Sequence, residues 1–577
     1  MTKELREQVT EEEFLKVFLI QPLFDKQITT SLTIDAKIIT VDFMTKSICN
    51  CVFDEEVVFK NFDTALLLRI ENCVFNKEVR FENFKSKNKT IRFYNSEILE
   101  LHFDNCNISI LSIADTKKTE SIVNEINFNE SKINNLEIVS KKIRRVTFLS
   151  QKNEYLNIYG FLRLENTDIL NWFWVENVEI IDLGFYKGEF NNSWDLKEVI
   201  IRNLSFNEVL VKKEMSLHNQ DNIQNIRIEN SEFKKDFGIR TKIRTENEED
   251  IKALDSLSLS KCKFEGEFLV KDVILNNLEI NASSKLTGNY KFRDSDISLL
   301  TLNGTENKAN LTFDQCRFNK VKFDQFRTDE DLVFSGVRSY GVDSEFTIKG
   351  SRLGKTLFSN VHLESFNKIN IEGSMIQEIN TTGIEWFHDT QLNIVENKKA
   401  EDWKKDREVF RQIKQSLEKQ GSNIDALTFK AYEMNAYKKE KGGETKSWKW
   451  STKINNSVRI FGDNLILVAG WTNDFGLSWT RALGLAILSC ILFFVILSLT
   501  LMPKVHFQWS INPYDLRYFD SLPNLFNPVL SIDKVFIVKN PEDIEIGFEA
   551  NLFFLLHRIV LSFFIFQIIS AFRKYVK

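Results

Sequence analysis

Few residues of this sequence combine the type and the spacing that metal or acid–base chemistry requires. Cys49-Asn-Cys51 would place two thiols on one strand face, but a zinc site needs more ligands at turn spacing. Cys51 also aligns with Cys73 as a stacked pair, which favours core packing. The six histidines are isolated, and His102 is expected on a solvated surface. We therefore predict no metal site and no cofactor.

Three carboxylates recur at a fixed interval. Glu56, Glu78 and Glu100 occupy the same position in three successive copies of a sequence repeat. Stacked on neighbouring strands, at about 4.8 Å, they would repel one another unless bases such as Arg80 or Lys77 offset the charge. Two interpretations stay open: a solvated face, or an acidic strip that binds a basic partner or a cation.

Catalytic motifs are missing from the sequence. It has no zinc-protease His-Glu-x-x-His, no phosphate-binding Gly-x-x-x-x-Gly-Lys-Ser/Thr and no nucleophile-elbow Gly-x-Ser-x-Gly. A carboxylate-based enzyme on a β-helix is the alternative, but no distinctive acidic pair supports it. With 81 acids against 76 bases, the near-balanced charge also argues against a nucleic-acid partner. We expect a non-enzymatic protein without catalytic residues.

The repeat that would position these carboxylates is visible in the sequence. Residues 50–62 (NCVFDEEVVFKNF) return as residues 72–84 (NCVFNKEVRFENF), and a third copy keeps the register. Apolar and polar residues alternate with the two-residue period of a strand. The aligned positions form a predicted structural stack of Phe59, Phe81, Phe103, Asn61, Asn83 and Asn105, with the asparagines hydrogen-bonded along the stack.

This pattern predicts a mainly β protein, a right-handed parallel β-helix of about 22–31 residues per coil. Only Pro22 precedes Pro503, which suits uninterrupted strand stacking. The predicted organisation is an N-terminal cap at 1–28, the β-helix at 29–396, a helical hairpin at 397–442, a basic and aromatic juxtamembrane segment at 443–480, and two transmembrane helices at 481–577 joined by a loop at 503–550. We expect the hairpin to close the C-terminal end of the solenoid.

The C-terminal part has the features of a membrane anchor. Lysines beside tryptophans predict contact with anionic lipid headgroups of the cytoplasmic leaflet, at Lys446, Trp448, Lys449, Trp450, Trp471 and Trp479. Ala482–Met502 is an uncharged stretch long enough to span a bilayer, and a second apolar segment covers Asn551–Phe572. Basic flanks place both ends in the cytoplasm. The N-terminus is charged and has no apolar run, and the cysteine count is odd, at seven. Both features favour a cytoplasmic location of the N-terminal part. We expect a multi-pass inner (cytoplasmic) membrane protein.

Small and polar residues mark the two spans. Ala482, Ala486 and Cys490 recur at every fourth position, a spacing that lets helices approach closely. The second span carries four intramembrane polar residues: His557, Arg558, Ser562 and Ser570. In one interpretation Arg558 snorkels towards the interface. In the other, Arg558, Ser562 and Ser570 pack on the small face of the first span or between protomers, and Arg558 pairs with Glu545 or Glu549.

Taken together, these features resemble bacterial pentapeptide-repeat-like β-helix proteins with a C-terminal helical hairpin and a membrane tail. The residues that carry the resemblance are the Cys-x-Phe islands such as Cys262-Lys-Phe264 and Cys316-Arg-Phe318, the hairpin from Trp403 to Tyr437, Trp471–Trp479, and Gln567–Tyr575. The resemblance implies an architecture and no particular activity.

We interpret the chain as a membrane-anchored cytoplasmic β-helix that acts as a binding or scaffold module for an unknown protein partner, with a homo-oligomer left open. The alternative is an oligomeric pore-forming effector or channel-like protein with the β-helix as its sensor. The loop at 503–550 lacks the Thr-Val-Gly-Tyr-Gly filter of a potassium pore.

Overall fold

The structure, a computed structural model, describes most of the chain, namely residues 7–20, 23–35, 43–62, 65–84, 89–116, 122–150, 156–192, 194–218, 222–240, 253–283, 285–444, 470–472, 478–501, 521–535 and 547–572. The chain forms two compact units, Met1–Ile394 and Val395–Lys577.

The first unit is a parallel β-solenoid of about 15 turns. Its strands form two ladders in which all the pairings of described strands are parallel. The first ladder consists of β1 Glu7–Val9, β3 Lys26–Ile28, β4 Leu32–Asp35, β6 Val52–Phe53, β7 Val57–Lys60, β9 Val74–Glu82, β11 Glu97–Asp104, β13 Ile122–Asn129, β15 Lys142–Leu149, β17 Asp168–Glu176, β19 Glu189–Phe190, β20 Trp194–Lys197, β22 Leu210–Val211, β23 Met215–His218, β25 Glu232–Phe233, β26 Phe237–Arg240, β28 Lys263–Lys271, β30 Thr287–Arg293, β32 Lys308–Asp314, β34 Leu332–Ser335, β37 Leu357–Ser359 and β39 Asn380–Thr382.

The second ladder alternates with the first along the chain. It consists of β2 Leu23–Phe24, β5 Phe43–Cys49, β8 Ala65–Glu71, β10 Lys89–Tyr94, β12 Asn107–Ala114, β14 Lys132–Val139, β16 Leu156–Glu165, β18 Val178–Tyr186, β21 Ile200–Asn207, β24 Asn222–Glu229, β27 Leu254–Ser260, β29 Ile274–Asn281, β31 Asp296–Asn303, β33 Arg317–Asp324, β35 Arg338–Ser339, β36 Glu345–Lys349 and β38 Lys368–Glu372. Two short 3-10 helices, Leu363–Ser365 and Asp389–Gln391, lie in the last turns.

The strand register confirms the predicted parallel β-helix. Phe59 pairs with Phe81 and Phe81 with Phe103, so each of these turns has the length of one sequence repeat. The turn from Phe128 to Phe148 is slightly shorter than that repeat. The turn from Ile239 to Val270 is much longer, since strand pairing tolerates a longer connection between ladders. The turns therefore vary in length as predicted, but several of them, such as those from Glu7 to Lys26 and from Phe292 to Phe313, are slightly shorter than the expected range.

Phenylalanine fills the interior because its rings stack at the spacing of the strands. Ring centroids lie 4.8 Å apart for Phe59 and Phe81 and 4.9 Å apart for Phe81 and Phe103, with nearly parallel planes. The stack continues through Phe128 and Phe148. Stacked rings one strand apart combine apolar burial with a favourable aromatic geometry. This explains why phenylalanine recurs so often in the solenoid part of the sequence.

Left-handed residues form corners between strands. Asn50, Asn61, Asn72 and Asn83 all have positive φ, between 52° and 57°, and each follows a ladder strand. Asparagine tolerates this region better than most other residues with a side chain. Each turn in this part of the solenoid therefore has two such corners, one after the strand of each ladder.

The N-terminal helix, α1 (Glu11–Ile20), lies at the first turns of the solenoid. Thr10 donates its backbone N–H and its hydroxyl to Glu13, each at 3.0 Å, which forms a capping contact at the start of α1. These hydrogen bonds lower the pKa of Glu13. Phe14 is fully buried and its ring packs edge-on against Phe53. Strand pairing starts already at β1, inside the segment predicted as a cap.

The second unit is helical. It begins with two paired helices, α2 (Ala400–Gln420) and α3 (Asn423–Glu444). Gly421 ends α2 with φ 77°, in the left-handed region that favours glycine. Ion pairs join the two helices, Lys414 to Glu433 at 2.7 Å and Arg407 to Glu440 at 3.0 Å. The predicted closure of the solenoid end by this hairpin stays a prediction.

Two long apolar helices follow, α4 (Trp479–Leu501) and α7 (Phe548–Phe572), with two short helices, α5 (Ser521–Leu525) and α6 (Ile532–Val535), between them. α4 and α7 pack against each other. Both are long and apolar enough to cross a membrane. In the most apolar stretch of each helix, only 33% of α4 and 17% of α7 is buried. Most of the surface of both helices is therefore apolar and exposed.

Candidate functional site

The acidic strip, defined as Glu56, Glu78 and Glu100, lies on the outer face of the first ladder. Glu78 and Glu100 are direct partners in the register of β9 and β11, and Glu56 precedes the strand that pairs with β9. Glu125 extends the strip by one turn. The side chains are partly exposed, 45% for Glu56, 24% for Glu78 and 38% for Glu100. The strip is therefore accessible to a partner.

Arg80 partly neutralises the strip, as the sequence predicts. Its guanidinium lies 2.6 Å from Glu78, 3.9 Å from Glu56 and 3.7 Å from Asp104. Burial alone would lower the pKa of Arg80, but the hydrogen bond to Glu78 and the neighbouring carboxylates raise it overall. The guanidinium thus stays charged and offsets part of the repulsion between stacked carboxylates.

His102 is not the solvated residue that the sequence suggested. Its side chain is only 17% exposed, because it lies between the carboxylates of Glu78 and Glu100 on adjacent strands. The imidazole Nε2 is 3.7 Å from Glu78 and 3.9 Å from Glu100, and it is shielded from solvent. Sequence reasoning missed this contact because it aligned the glutamates and treated the histidine as isolated.

The predicted structural stack divides into two kinds of position. Phe59, Phe81 and Phe103 are at most 1% exposed and stack in the core. Asn61, Asn83 and Asn105 occupy left-handed corners instead of strand positions, with φ of 57°, 55° and 53°. The asparagine ladder is one link long: Asn105 donates to Asn83 at 3.0 Å, while Asn61 donates to Asp35 at 3.1 Å. Backbone conformation explains these asparagines better than the ladder does.

The thiols of Cys49 and Cys51 do not share a strand face. Asn50 has φ 54°, so the chain turns between the end of β5 and Cys51. Cys51 and Cys73 occupy matching corners, and the Cys73 thiol donates to backbone carbonyls of Ile48 and Glu71. A hydrogen bond with Cys51 and burial raise the pKa of Cys73. The thiols of Cys51 and Cys73 are therefore buried hydrogen-bond donors at the solenoid corners.

Two tryptophans outside the predicted site form an exposed aromatic pair. Trp172 and Trp174 lie on the outer face of β17, 44% and 37% exposed, whereas Trp194 is buried. The signal was the two-residue alternation in Trp172-Phe-Trp-Val175, which puts both indoles on the side opposite Phe173. Trp172 pairs in register with Arg145, whose guanidinium contacts Glu125. The pair therefore continues the outer face that carries the acidic strip.

An ion pair inside the solenoid is a second feature that sequence reasoning missed. Lys141 contacts Asp115 at 2.7 Å, and both side chains are at most 2% exposed. Lys141 follows the left-handed Ser140 and donates to the Ser96 carbonyl at 2.8 Å. Burial lowers the pKa of Lys141 despite the opposing effect of Asp115. Its depth assigns this pair to the core.

The predicted membrane-interface residues are only partly described. Lys446, Trp448, Lys449 and Trp450 lie outside the described residues. Trp479 stacks on Phe572 with ring centroids 5.1 Å apart, which joins the start of α4 to the end of α7. Arg481 lies over the ring of Trp471 at 4.4 Å. Both tryptophans therefore lie at the same end of the helix pair.

The small-residue stripe of α4 faces α7. Ala482, Ala486 and Cys490 are at most 3% exposed. The polar residue that meets them is His557, which is fully buried with Nε2 3.5 Å from the Cys490 thiol. Ser562 and Ser570 are exposed. The hypothesis that Arg558, Ser562 and Ser570 pack on the small face of α4 is wrong by one residue, a rotation of about 100° on the helix, while their alternative role in a contact between protomers stays a prediction.

Arg558 has a different set of partners from those proposed. Its guanidinium donates to the backbone carbonyls of Asn527 and Leu530, between α5 and α6, and stacks on the Phe554 ring. Neither hydrogen-bond partner is an acid; Glu545 lies outside the described residues. Apolar residues of all four helices, such as Leu497, Leu525 and Val535, pack beside this contact. Arg558 thus fixes the α5–α6 segment to α7.

No protein-family model, no curated protein and no solved structure matches this chain.

Proposed function

We propose that this protein is a membrane-tethered binding module, in which the outer face of the first ladder holds a protein partner. The observation that carries the proposal is the acidic strip: carboxylates repeat in strand register on a rigid solenoid, and Arg80 offsets only part of their charge. Such a surface is complementary to a basic protein surface. Trp172 and Trp174 would add exposed aromatic area, which is common at protein interfaces.

The tether would be formed by α4 and α7. We further propose the inner membrane, with the solenoid and the C-terminus in the cytoplasm, because basic residues flank both apolar segments. The lysines and tryptophans at 446–450 would contact anionic lipids of the cytoplasmic leaflet. The solenoid would then act as a scaffold at the membrane surface, without nucleic acid and without catalysis.

Kinship to bacterial pentapeptide-repeat-like proteins belongs to this proposal. Stacked phenylalanines and turns of similar length between Phe59 and Phe148 support it. The Ala-Asp/Asn-Leu-x-x pentad that usually marks such repeats is not kept here, and the longer turn from Ile239 to Val270 departs from a strict period.

The test compares partner capture by two matched variants of the full-length protein. Glu56→Gln, Glu78→Gln and Glu100→Gln together remove the strip. The control variant, Glu137→Gln with Glu229→Gln and Glu279→Gln, removes the same charge from the second ladder. We expect the strip variant to lose proteins that the wild type and the control capture at low salt, and that high salt releases. Equal capture by all three proteins would contradict a binding role for the strip.

The alternative function, an oligomeric pore, has one observation in its favour. Polar side chains of His557, Gln567 and Ser498 are buried in the apolar helices, and polar residues inside spans often mark pathways. A pore-forming protein should depolarise cells on induced expression, whereas a tethered module should leave them polarised. Depolarisation that His557→Leu abolishes would favour the pore.

A further inference from the structure

Three side chains of the acidic strip and its neighbour offer metal-ligand atoms at one point of the first ladder. Glu78 on β9, and Glu100 and His102 on β11, each place one ligand atom within 4.8 Å of the other two. Nε2 of His102 is 3.7 Å from Oε1 of Glu78 and 3.9 Å from Oε2 of Glu100. The strands fix this arrangement, because Glu78 and Glu100 are register partners and His102 follows Glu100 on the same face of β11.

The histidine of this group is not satisfied by its neighbours. Nε2 is shielded from solvent and accepts or donates no hydrogen bond within the described part of the chain. At 3.7 and 3.9 Å, the carboxylate oxygens are too distant to accept a hydrogen bond from it. A shielded nitrogen without a partner has a free-energy cost, which an ion between the three groups would remove.

The local charge also leaves room for a cation. Among the described residues, Arg80 is the permanently charged base that contacts Glu78, and it also faces Glu56, Glu82 and Asp104. In the described ranges, His102 is the one basic side chain within 4.0 Å of the Glu100 carboxylate. Arg80, with Lys60 at 3.2 Å from Glu82, therefore offsets only part of the charge of these carboxylates, and no permanently charged base among the described residues pairs with Glu100.

We propose that Glu78, Glu100 and His102 bind a divalent first-row transition-metal ion of the zinc class. One imidazole nitrogen and two carboxylate oxygens are ligands that zinc accepts, with water completing the tetrahedron. Ligand atoms about 2.1 Å from a tetrahedral ion lie about 3.4 Å apart, so shifts of a few tenths of an ångström would close the His102 distances. The imidazole disfavours Ca²⁺ and Mg²⁺, which prefer oxygen.

Arg80 would compete with the ion for the carboxylate of Glu78. It donates to Oε1 of Glu78 from Nε at 2.9 Å and from Nη2 at 2.6 Å. Zinc binding would require Glu78 to offer its other oxygen or Arg80 to move towards Glu82 and Asp104, which it already faces at 3.9 and 3.7 Å. If Arg80 competes with the ion, removal of its guanidinium should strengthen zinc binding. If Arg80 is only a structural salt-bridge partner of Glu78, its removal should weaken the fold and leave zinc binding no stronger.

The test measures zinc binding by the full-length protein in detergent after chelator treatment, without any partner, so its result is separate from that of the proposed partner binding. We expect the wild type to bind one zinc per chain. His102→Gln and Glu100→Gln should each lower the affinity for zinc at least about tenfold, since loss of a residue that merely orients a ligand already costs that much. The control Glu125→Gln, which removes the next carboxylate of the strip, should bind zinc as the wild type does. Arg80→Met should bind it more tightly.

A second measurement keeps the proposal falsifiable if a variant folds poorly. Zinc-edge X-ray absorption of the wild-type protein should show one imidazole and otherwise oxygen ligands. Sulfur ligands would assign the metal to cysteines and overturn the site. Failure of the wild type to bind zinc, equal binding by His102→Gln, or equal affinity for Ca²⁺ would each overturn it too.

Discussion

At the residue scale, the corners of the solenoid explain most of the cysteines. After a left-handed residue, a small donor points inward and bonds to carbonyls of its own and the preceding turn. Cys106 donates to Phe81 O at 3.2 Å, and Ser131 donates to Phe103 O at 2.9 Å in the next turn. Ser131 also accepts the backbone N–H of Cys106. Thiol and hydroxyl are therefore interchangeable at these corners, and the cysteines need no chemical role.

The first prediction concerns the reactivity of these thiols. Burial raises the pKa of Cys106, of Cys262 and of Cys316 to about 12. Because only the thiolate is nucleophilic, a raised pKa leaves them protonated and unreactive at pH 8. We expect alkylation of the native protein to spare these three residues and denaturation to restore their labelling, measured by peptide mass spectrometry. Rapid labelling of the native corners would contradict the assignment.

At the element scale, the phenylalanine stack holds successive strands in register. Phe81 contacts Phe59 and Phe103 face to face and Phe84 and Phe93 edge-on. A one-residue slip of β9 would turn Phe81 outward and Arg80 inward. The register is therefore set by apolar burial, and the position of the acidic strip follows from it.

The second prediction tests this stack. Phe81→Ala should lower the free energy of unfolding by about 3–5 kcal/mol, because it removes a fully buried ring and leaves a cavity. The midpoint of chemical denaturation, followed by circular dichroism of the full-length protein, measures the loss. Val58→Ala, at a half-buried outward position of β7, should change stability by less than about 0.5 kcal/mol. Similar midpoints for both variants would refute the stack.

Among the helices, Arg558 helps to hold the segment that contains α5 and α6. Its two hydrogen bonds reach backbone carbonyls that lie between α5 and α6, in surroundings that are largely apolar. A charged donor is worth more there than in water. Arg558 therefore adds to the apolar packing that holds α5 and α6 beside α7.

The third prediction follows for Arg558→Leu. The variant should keep α4 and α7 paired, because His557 and the small stripe are untouched. Limited proteolysis should cleave 521–535 faster than in the wild type, and Arg558→Lys should be intermediate because it keeps the charge but not both donors. Native gels report whether assembly changes as well. Unchanged cleavage would favour the snorkelling interpretation.

At the scale of the whole molecule, the solenoid was predictable and parts of the site were not. The repeat in residues 50–105 predicts the pairing of Phe59, Phe81 and Phe103, since identical residues recur in identical environments. The predicted face of α7 that contacts α4 was wrong by one residue, because the helix is apolar on nearly all sides and its sequence has no helical periodicity. Cys49 and Cys51 were misassigned because a two-residue spacing indicates one face only if no corner intervenes. The His102 contact depends on side chains of adjacent turns, which alignment of one residue type did not compare.

Attachment of the solenoid to a bilayer through α4 and α7 is the central claim, and extraction of membranes with alkaline carbonate tests it most directly. The full-length protein should stay in the pellet, because apolar spans resist both carbonate and high salt. A variant that lacks 479–577 should move to the supernatant, with any remnant held by the basic segment at 438–459 released by salt. Release of the full-length protein by carbonate would contradict the claim.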